Sequence, residues 1–169
     1  KNCVFQQTSY SIGGSTAINV TNSNNSIFHN NTINTTSTNS YGIYLFANSD
    51  YNNASSNTIN TTGSTAYGIL LDDDAGTGDP DWNNLTGNTI RTTGSTGHGI
   101  FLSADAENTF LSRNIVTTTS TGHGIYLVDA QYNTLSNNNV TASAASTYAL
   151  YIFQNSDYNV VDSNNFTTT

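Results

Sequence analysis

The chain has 169 residues, enough for one domain or one segment of a longer solenoid. Charged residues make up 8% and the net charge is -8, with Lys1, Arg91 and Arg113 the basic residues, so the surface repels phosphate backbones and nucleic acid is a poor partner. No apolar run reaches membrane-spanning length, and a single cysteine, Cys3, excludes an internal disulfide or a thiolate metal cluster.

Taken from the N-terminus, Asn2-Cys3-Val4 reads as the end of a coil, and Thr16-Ala17-Ile18-Asn19-Val20 opens the next. The same phrase then returns as Tyr41-Gly42-Ile43-Tyr44-Leu45, Tyr67-Gly68-Ile69-Leu70-Leu71, His98-Gly99-Ile100-Phe101-Leu102, His123-Gly124-Ile125-Tyr126-Leu127 and Tyr148-Ala149-Leu150-Tyr151-Ile152. The steps between the last five copies are 26, 31, 25 and 25 residues, and a fixed period of this size marks stacked identical units.

Each unit is predicted to hold three short strands. The phrase is the first, and its two-residue alternation turns Ile18/Val20, Ile43/Leu45, Ile69/Leu71, Ile100/Leu102, Ile125/Leu127 and Leu150/Ile152 inward. The second strand offers Ile27, Ala54, Leu85, Phe110, Leu135 and Val161, and the third Ile33, Ile59, Ile90, Ile115, Val140 and Phe166. No stretch has the apolar spacing of a helix. Two asparagine columns mark the turns: Asn25, Asn52, Asn83, Asn108, Asn133 and Asn159, then Asn31, Asn57, Asn88, Asn138 and Asn164, interrupted by Arg113. Asparagine tolerates left-handed backbone and bonds to nearby main chain, so both columns read as structural. The pattern describes an all-β chain: a right-handed parallel β-helix (β-solenoid) of about six coils of about 25 residues. It forms a single domain over residues 1–169, as a segment of a longer solenoid or a stacking subunit.

The recurring Gly-Ile-x-Leu phrase and the Asn-x-Ile/Val turns resemble the right-handed parallel β-helix repeats of the pectate-lyase-like superfamily, over Thr16 to Thr169. That resemblance implies the fold but does not choose an activity. The superfamily spans polysaccharide lyases, glycoside hydrolases, periplasmic copper-associated proteins, phage tailspikes, adhesins and non-catalytic surface proteins.

Several residues carry candidate chemistry. The longest excursion holds Asp72, Asp74, Asp79 and Asp81, oxygen donors that could wrap a calcium ion; no other cofactor is expected. The resemblance would make Gly97-His98-Gly99, one coil after Asp72-Asp73, a hydrolase motif, and paired carboxylates suit glycoside hydrolysis. But His98 and His123 occupy the column held by Tyr41, Tyr67 and Tyr148, which points to stacking. The family's basic substrate clamp is missing too. Catalysis is left open, with the weight against it. Copper would want Met, Cys or clustered His, of which the chain holds no Met, one Cys and three His.

Eight of the ten outward phrase positions in these five copies are apolar: Tyr44, Phe46, Leu70, Phe101, Tyr126, Val128, Tyr151 and Phe153. A strip of this kind predicts a partner: another copy, an adjoining solenoid segment, or a glycan stacked on the rings. Tyr51, Trp82, Tyr132 and Tyr158 form a second aromatic column at the adjoining turn. Among the Asn-x-Ser/Thr sequons, outward Asn34 and Asn60 are the best glycosylation candidates. Composition rich in Asn and Thr and poor in Lys, Arg and Glu predicts an extracellular or cell-surface location. The absence of methionine suits a processed or excised product. The first functional reading is a non-catalytic structural or adhesive β-solenoid that self-associates end to end or laterally. The alternative is a carbohydrate-binding or carbohydrate-cleaving module.

Overall fold

Short β-branched runs flanked by Asn, Ser and Gly turns have neither the length nor the periodicity for helices, and they form strands. A computed structural model of the chain describes residues 4–7, 15–73 and 78–169. After β1 (Val4–Gln7) come β2 (Ile18–Thr21), β3 (Ile27–His29) and β4 (Thr32–Thr35), then β5 (Ile43–Phe46), β6 (Asn53–Ser55) and β7 (Thr58–Thr61). The third coil holds β8 (Ile69–Asp72), β9 (Asn84–Thr86) and β10 (Thr89–Thr92), and the fourth β11 (Ile100–Leu102), β12 (Phe110–Ser112) and β13 (Ile115–Thr118). The fifth and sixth hold β14 (Ile125–Val128), β15 (Thr134–Ser136) and β16 (Asn139–Ala142), then β17 (Leu150–Phe153), β18 (Val160–Asp162) and β19 (Asn165–Thr168).

The first strands of the six coils form one parallel sheet, in the order β2-β5-β8-β11-β14-β17. The second strands form another, β3-β6-β9-β12-β15-β18, and the third strands a seven-stranded sheet that begins at β1. Among the described residues there is no helix. The chain is a parallel β-helix, as its repeat predicts.

Ile43, Leu45, Ile69, Leu71, Ile100, Leu102, Ile125 and Leu127 are fully buried along the axis. Each such side chain contributes roughly 1.5–3 kcal/mol by leaving water. In the sixth coil Ile152, Val161 and Phe166 keep the registers of Leu127, Leu135 and Val140. No further coil of the described chain stacks on them, and they stay partly exposed.

Three inward assignments are off by one residue. Ile27 is 72% exposed, and its neighbour Phe28 lies opposite Ala54 against the core. In the fourth coil Phe110 and Ile115 face solvent, while Leu111 and Val116 are buried between Leu85 and Leu135 and between Ile90 and Val140. A one-residue slip exchanges the two faces of a strand, and two successive apolar residues give the alternation nothing to choose by.

The asparagine columns shift with them. The third-sheet ladder runs Asn31, Asn57, Asn88, Asn114, Asn138, Asn164 without interruption. Arg113 sits one residue earlier, at φ 52°, in a turn position that Gly87 fills at φ 65°. Each inner ladder amide is satisfied. Asn88 Oδ1 accepts the main-chain and side-chain N–H of Asn57 at 3.0 and 2.9 Å, while Asn88 Nδ2 donates to Ala54 O and Asn114 Oδ1 at 2.8 and 3.0 Å. The other ladder includes Asn52, Asn83, Asn133 and Asn159, with Ser26 and Thr109, rather than Asn25 and Asn108, in line with them.

The phrase glycine has a packing cause. A Cβ at Gly99 would lie 2.2 Å from Val116 Cγ1 and 2.5 Å from Gly124 O, and Gly42, Gly68 and Gly124 are equally hemmed in. The third-sheet core residue presses directly against this backbone, and only glycine leaves the room.

Candidate functional site

Strands lift aromatic residues onto the outer face of the first sheet in two interlocked columns. Tyr41, Tyr67, His98 and His123 stack at successive levels, with centroids 5.1, 5.1 and 5.2 Å apart. Beside them Phe101, Tyr126 and Tyr151 stack at 4.9 and 5.0 Å, within 10° of parallel. The columns meet edge to face, as at Tyr67–Phe101 (87°) and His123–Tyr126 (80°). The predicted strip is therefore not an open patch. Leu70 is buried at 3% exposure, Tyr44, Phe46, Phe101, Tyr126, Val128 and Tyr151 are half-buried, and Phe153 alone of the eight is exposed. Burial holds the Tyr41, Tyr67 and Tyr126 hydroxyls above their ordinary range.

The two histidines are rungs of this stack. Burial, and then the proximity of His123, push the His98 pKa down to about 4; burial lowers that of His123 too. His98 Nδ1 accepts the His123 N–H at 2.8 Å, and His123 Nδ1 accepts the Tyr148 N–H at 3.2 Å. In a neutral ring this places the proton on Nε2 and leaves no lone pair for a metal. The rings are also within 19° of parallel, 5.2 Å apart. In-plane lone pairs of stacked rings cannot converge on one ion about 2 Å from each nitrogen. His29 is exposed on β3, within 3.0 Å of Ser55 Oγ. Cys3 lies outside the described residues. Among those described, no group of three or more His, Cys, Asp or Glu side chains is placed to hold a metal, and the donor set does not fit copper.

The acidic excursion gathers charge beside the turn between the first and second sheets. Asp72 accepts a 2.6 Å hydrogen bond from Ser103 Oγ, and Asp81 Oδ1 accepts the Glu107 N–H at 2.7 Å. Asp79 lines a shallow hollow of about 670 Å³ with Asp73, Asp105 and Asp129, and Asp74 lies outside the described residues. Burial, reinforced by the surrounding carboxylates, raises the pKa of Asp79, Asp81 and Glu107; the Glu107 N–H partly offsets this at Asp81. Asn34 and Asn60 sit half-buried on the outer face of the third sheet, Asn60 Nδ2 donating to Asn34 Oδ1 at 3.1 Å.

The turn between the first and second sheets carries the three most exposed rings among the described residues, Tyr158, Tyr51 and Trp82. Asn25, Tyr51, Trp82, Asn108, Tyr132 and Tyr158 occupy equivalent places, each at φ between 52° and 61°. Tyr51 stacks on Trp82 at 6.3 Å and 11°, and Tyr132 on Tyr158 at 5.0 Å and 5°. All four rings are about half exposed or more. Sequence reading finds these rings but misses that Asn108 interrupts them, because it places Asn108 in the buried ladder that Thr109 occupies. Requiring Asn114 to align with Asn88 and Asn138 would have exposed the break.

Comparison with known proteins extends this picture. Among solved structures, the crystal structure of the periplasmic alginate epimerase AlgG matches at 16% identity with a TM-score of 0.62, over 92% of this chain and 42% of that one. At that identity the likeness is one of fold, and the chain spans less than half the length of the epimerase. No curated protein matches. The family model described as periplasmic copper-binding protein (NosD) matches residues 65–169, from just before β8 through the sixth coil. With 105 of its 169 residues matched, the chain belongs to the NosD family.

Proposed function

We propose that the chain is a non-catalytic β-helix of the cell envelope or extracellular space that binds polysaccharide along its lateral surface. The observation that carries this reading is the turn column Tyr51, Trp82, Tyr132 and Tyr158. These side chains hold left-handed backbone, which disfavours aromatic residues and suits the Asn found at positions 25 and 108. A column kept only for the fold would be better served by asparagine throughout, so half-exposed rings on strained backbone indicate a contact outside the chain. A periplasmic family and a periplasmic alginate epimerase of the same fold support the location. The near absence of basic residues and the neutral, stacked histidines support binding without turnover. Affinity electrophoresis through gels containing soluble polysaccharides, paired with a reducing-end assay, tests it. Retardation by at least one polysaccharide with no new reducing ends is expected; unchanged mobility in every gel, or product release, overturns it.

A second reading is lateral self-association through the strip from Tyr44 to Phe153. Its support is the run of half-buried apolar side chains along that face, broken by buried Leu70 and ending at exposed Phe153. Sedimentation of Tyr126→Ser and Tyr151→Ser variants decides it. A smaller assembly than the parent is expected, and a monomeric parent removes it.

A further inference from the structure

We propose that the interruption at Asn108 is a slot for one saturated sugar ring of a neutral polysaccharide, walled by Trp82 and Tyr132. The inference rests on the polysaccharide-binding reading and gives it a place and a ligand class. Main-chain bonds set the register of the column. The N–H groups of Tyr51, Trp82, Asn108 and Tyr132 donate to the carbonyls of Asp81, Glu107, Gln131 and Asp157 at 3.1, 3.1, 3.3 and 3.2 Å. The four side chains therefore leave equivalent points at successive levels. Trp82 and Tyr132 are two steps apart, about 9–10 Å at the parallel-strand spacing. Their other faces are already covered by Tyr51 and Tyr158. The faces left uncovered look across the level of Asn108, where no aromatic ring stands in the column.

The height of that gap selects its occupant. A flat π-system makes carbon contacts at about 3.5–4.0 Å on each side, so it would rattle between walls about 9–10 Å apart. A puckered saturated ring, thickened by its axial hydrogens, fills the step. The Asn108 amide at the base can both donate to and accept from ring hydroxyls. Beside it Asp81, Glu107 and Gln131, the residues just before Trp82, Asn108 and Tyr132, supply further acceptors. Phe110, two residues on and 42% exposed, extends the apolar flank within the same coil. The charge around the slot selects against uronates. Asp79, Asp81, Asp105 and Glu107 already crowd one another, and a carboxylated sugar would add to that repulsion.

The test uses the single tryptophan of the chain, Trp82, as a reporter inside the slot. Cellohexaose, xylohexaose and mannohexaose are titrated by fluorescence and calorimetry, with hexagalacturonate as the charged control. At least one neutral hexasaccharide is expected to blue-shift Trp82 emission. Asn108→Tyr, which fills the gap with a residue already accommodated at three equivalent positions, is expected to weaken binding about tenfold or more, as is Tyr132→Asn. Ile115→Thr, on the outer face of the third sheet and outside the turn column, is expected to bind like the parent. Hexasaccharide binding that survives both slot variants overturns the slot and leaves the polysaccharide reading standing. The slot is equally overturned if polysaccharide gels retard the protein while no hexasaccharide perturbs Trp82. Preference for hexagalacturonate overturns the neutral-sugar assignment. Failure in gels and titrations together removes both proposals.

Discussion

The rings on the first sheet and the rings at the neighbouring turn are made of the same residue types, and the backbone holds them in opposite ways. Over the first sheet, Tyr67, His98, Phe101, Tyr126 and Tyr151 cover one another edge and face, half-buried on extended strands or just before them. At the turn, Tyr51, Trp82, Tyr132 and Tyr158 stand at φ 55–57° with about half or more of their surface in water. The first arrangement lowers the free energy of the fold by itself. The second sets a gain from stacking against the cost of left-handed backbone. Aromatic content alone therefore does not separate the two columns; the conformational cost of placing the ring does.

The largest expected effect breaks the sheet side from beneath. Gly99→Ala drives a methyl group into Val116 and the Gly124 carbonyl, and should destabilise the chain by about 3 kcal/mol in denaturant unfolding. Protonation attacks the same stack more gently. His98 is held near 4, well below the unfolded value, so the unfolded chain binds a proton that the folded chain refuses. The stability tied to His98 is complete above about pH 6.5 and is lost as pH falls toward 4, on the order of 2–3 kcal/mol. Asp79, Asp81 and Glu107 act with the opposite sign. Their raised pKa values make acid relieve a strain present at neutral pH. A His98→Tyr variant, matching Tyr41 and Tyr67, should flatten the dependence of melting temperature on pH between 6.5 and 4; an unchanged slope would place the titration elsewhere.

Phe101→Ala removes a ring packed against Tyr67, His98 and Tyr126, and should cost about 2 kcal/mol. The smallest effect sharpens the contrast. Tyr132→Asn loses one stack but relaxes the backbone, so stability should change by less than about 1 kcal/mol, in either direction, while sugar binding weakens about tenfold or more. If Tyr132→Asn proved as damaging as Phe101→Ala, the two columns would be alike and the turn rings would be structural.

Much of the fold was legible because the repeat states it several times over. Gly42, Gly68, Gly99 and Gly124 mark the same close contact, and the Ile/Leu pairs that follow them are buried as the alternation predicts. The errors fell where two apolar residues adjoin, at Ile27-Phe28, Phe110-Leu111 and Ile115-Val116. There the polar ladder, not the greasy one, carries the register. Asn114 bonds to Asn88 and Asn138, and so places Val116 under Ile90. Exposure was less legible than register. Leu70 alternates outward, yet it lies buried on the first sheet between Tyr44 of β5 and Phe101 of β11. Whether a ring lies against its neighbours depends on side-chain packing across coils, which one strand's pattern does not encode.

Among the described residues, every strand is paired in its sheet only with its counterparts one level above and below. Among those residues no strand pairing ties the first level to the last. Such a body resembles a wound rope more than a knot. Pulled from either terminus, it should unwind level by level, each event freeing about 25 residues, or roughly 80 Å of extended chain. The ladder of asparagine amides would set the height of each successive force peak.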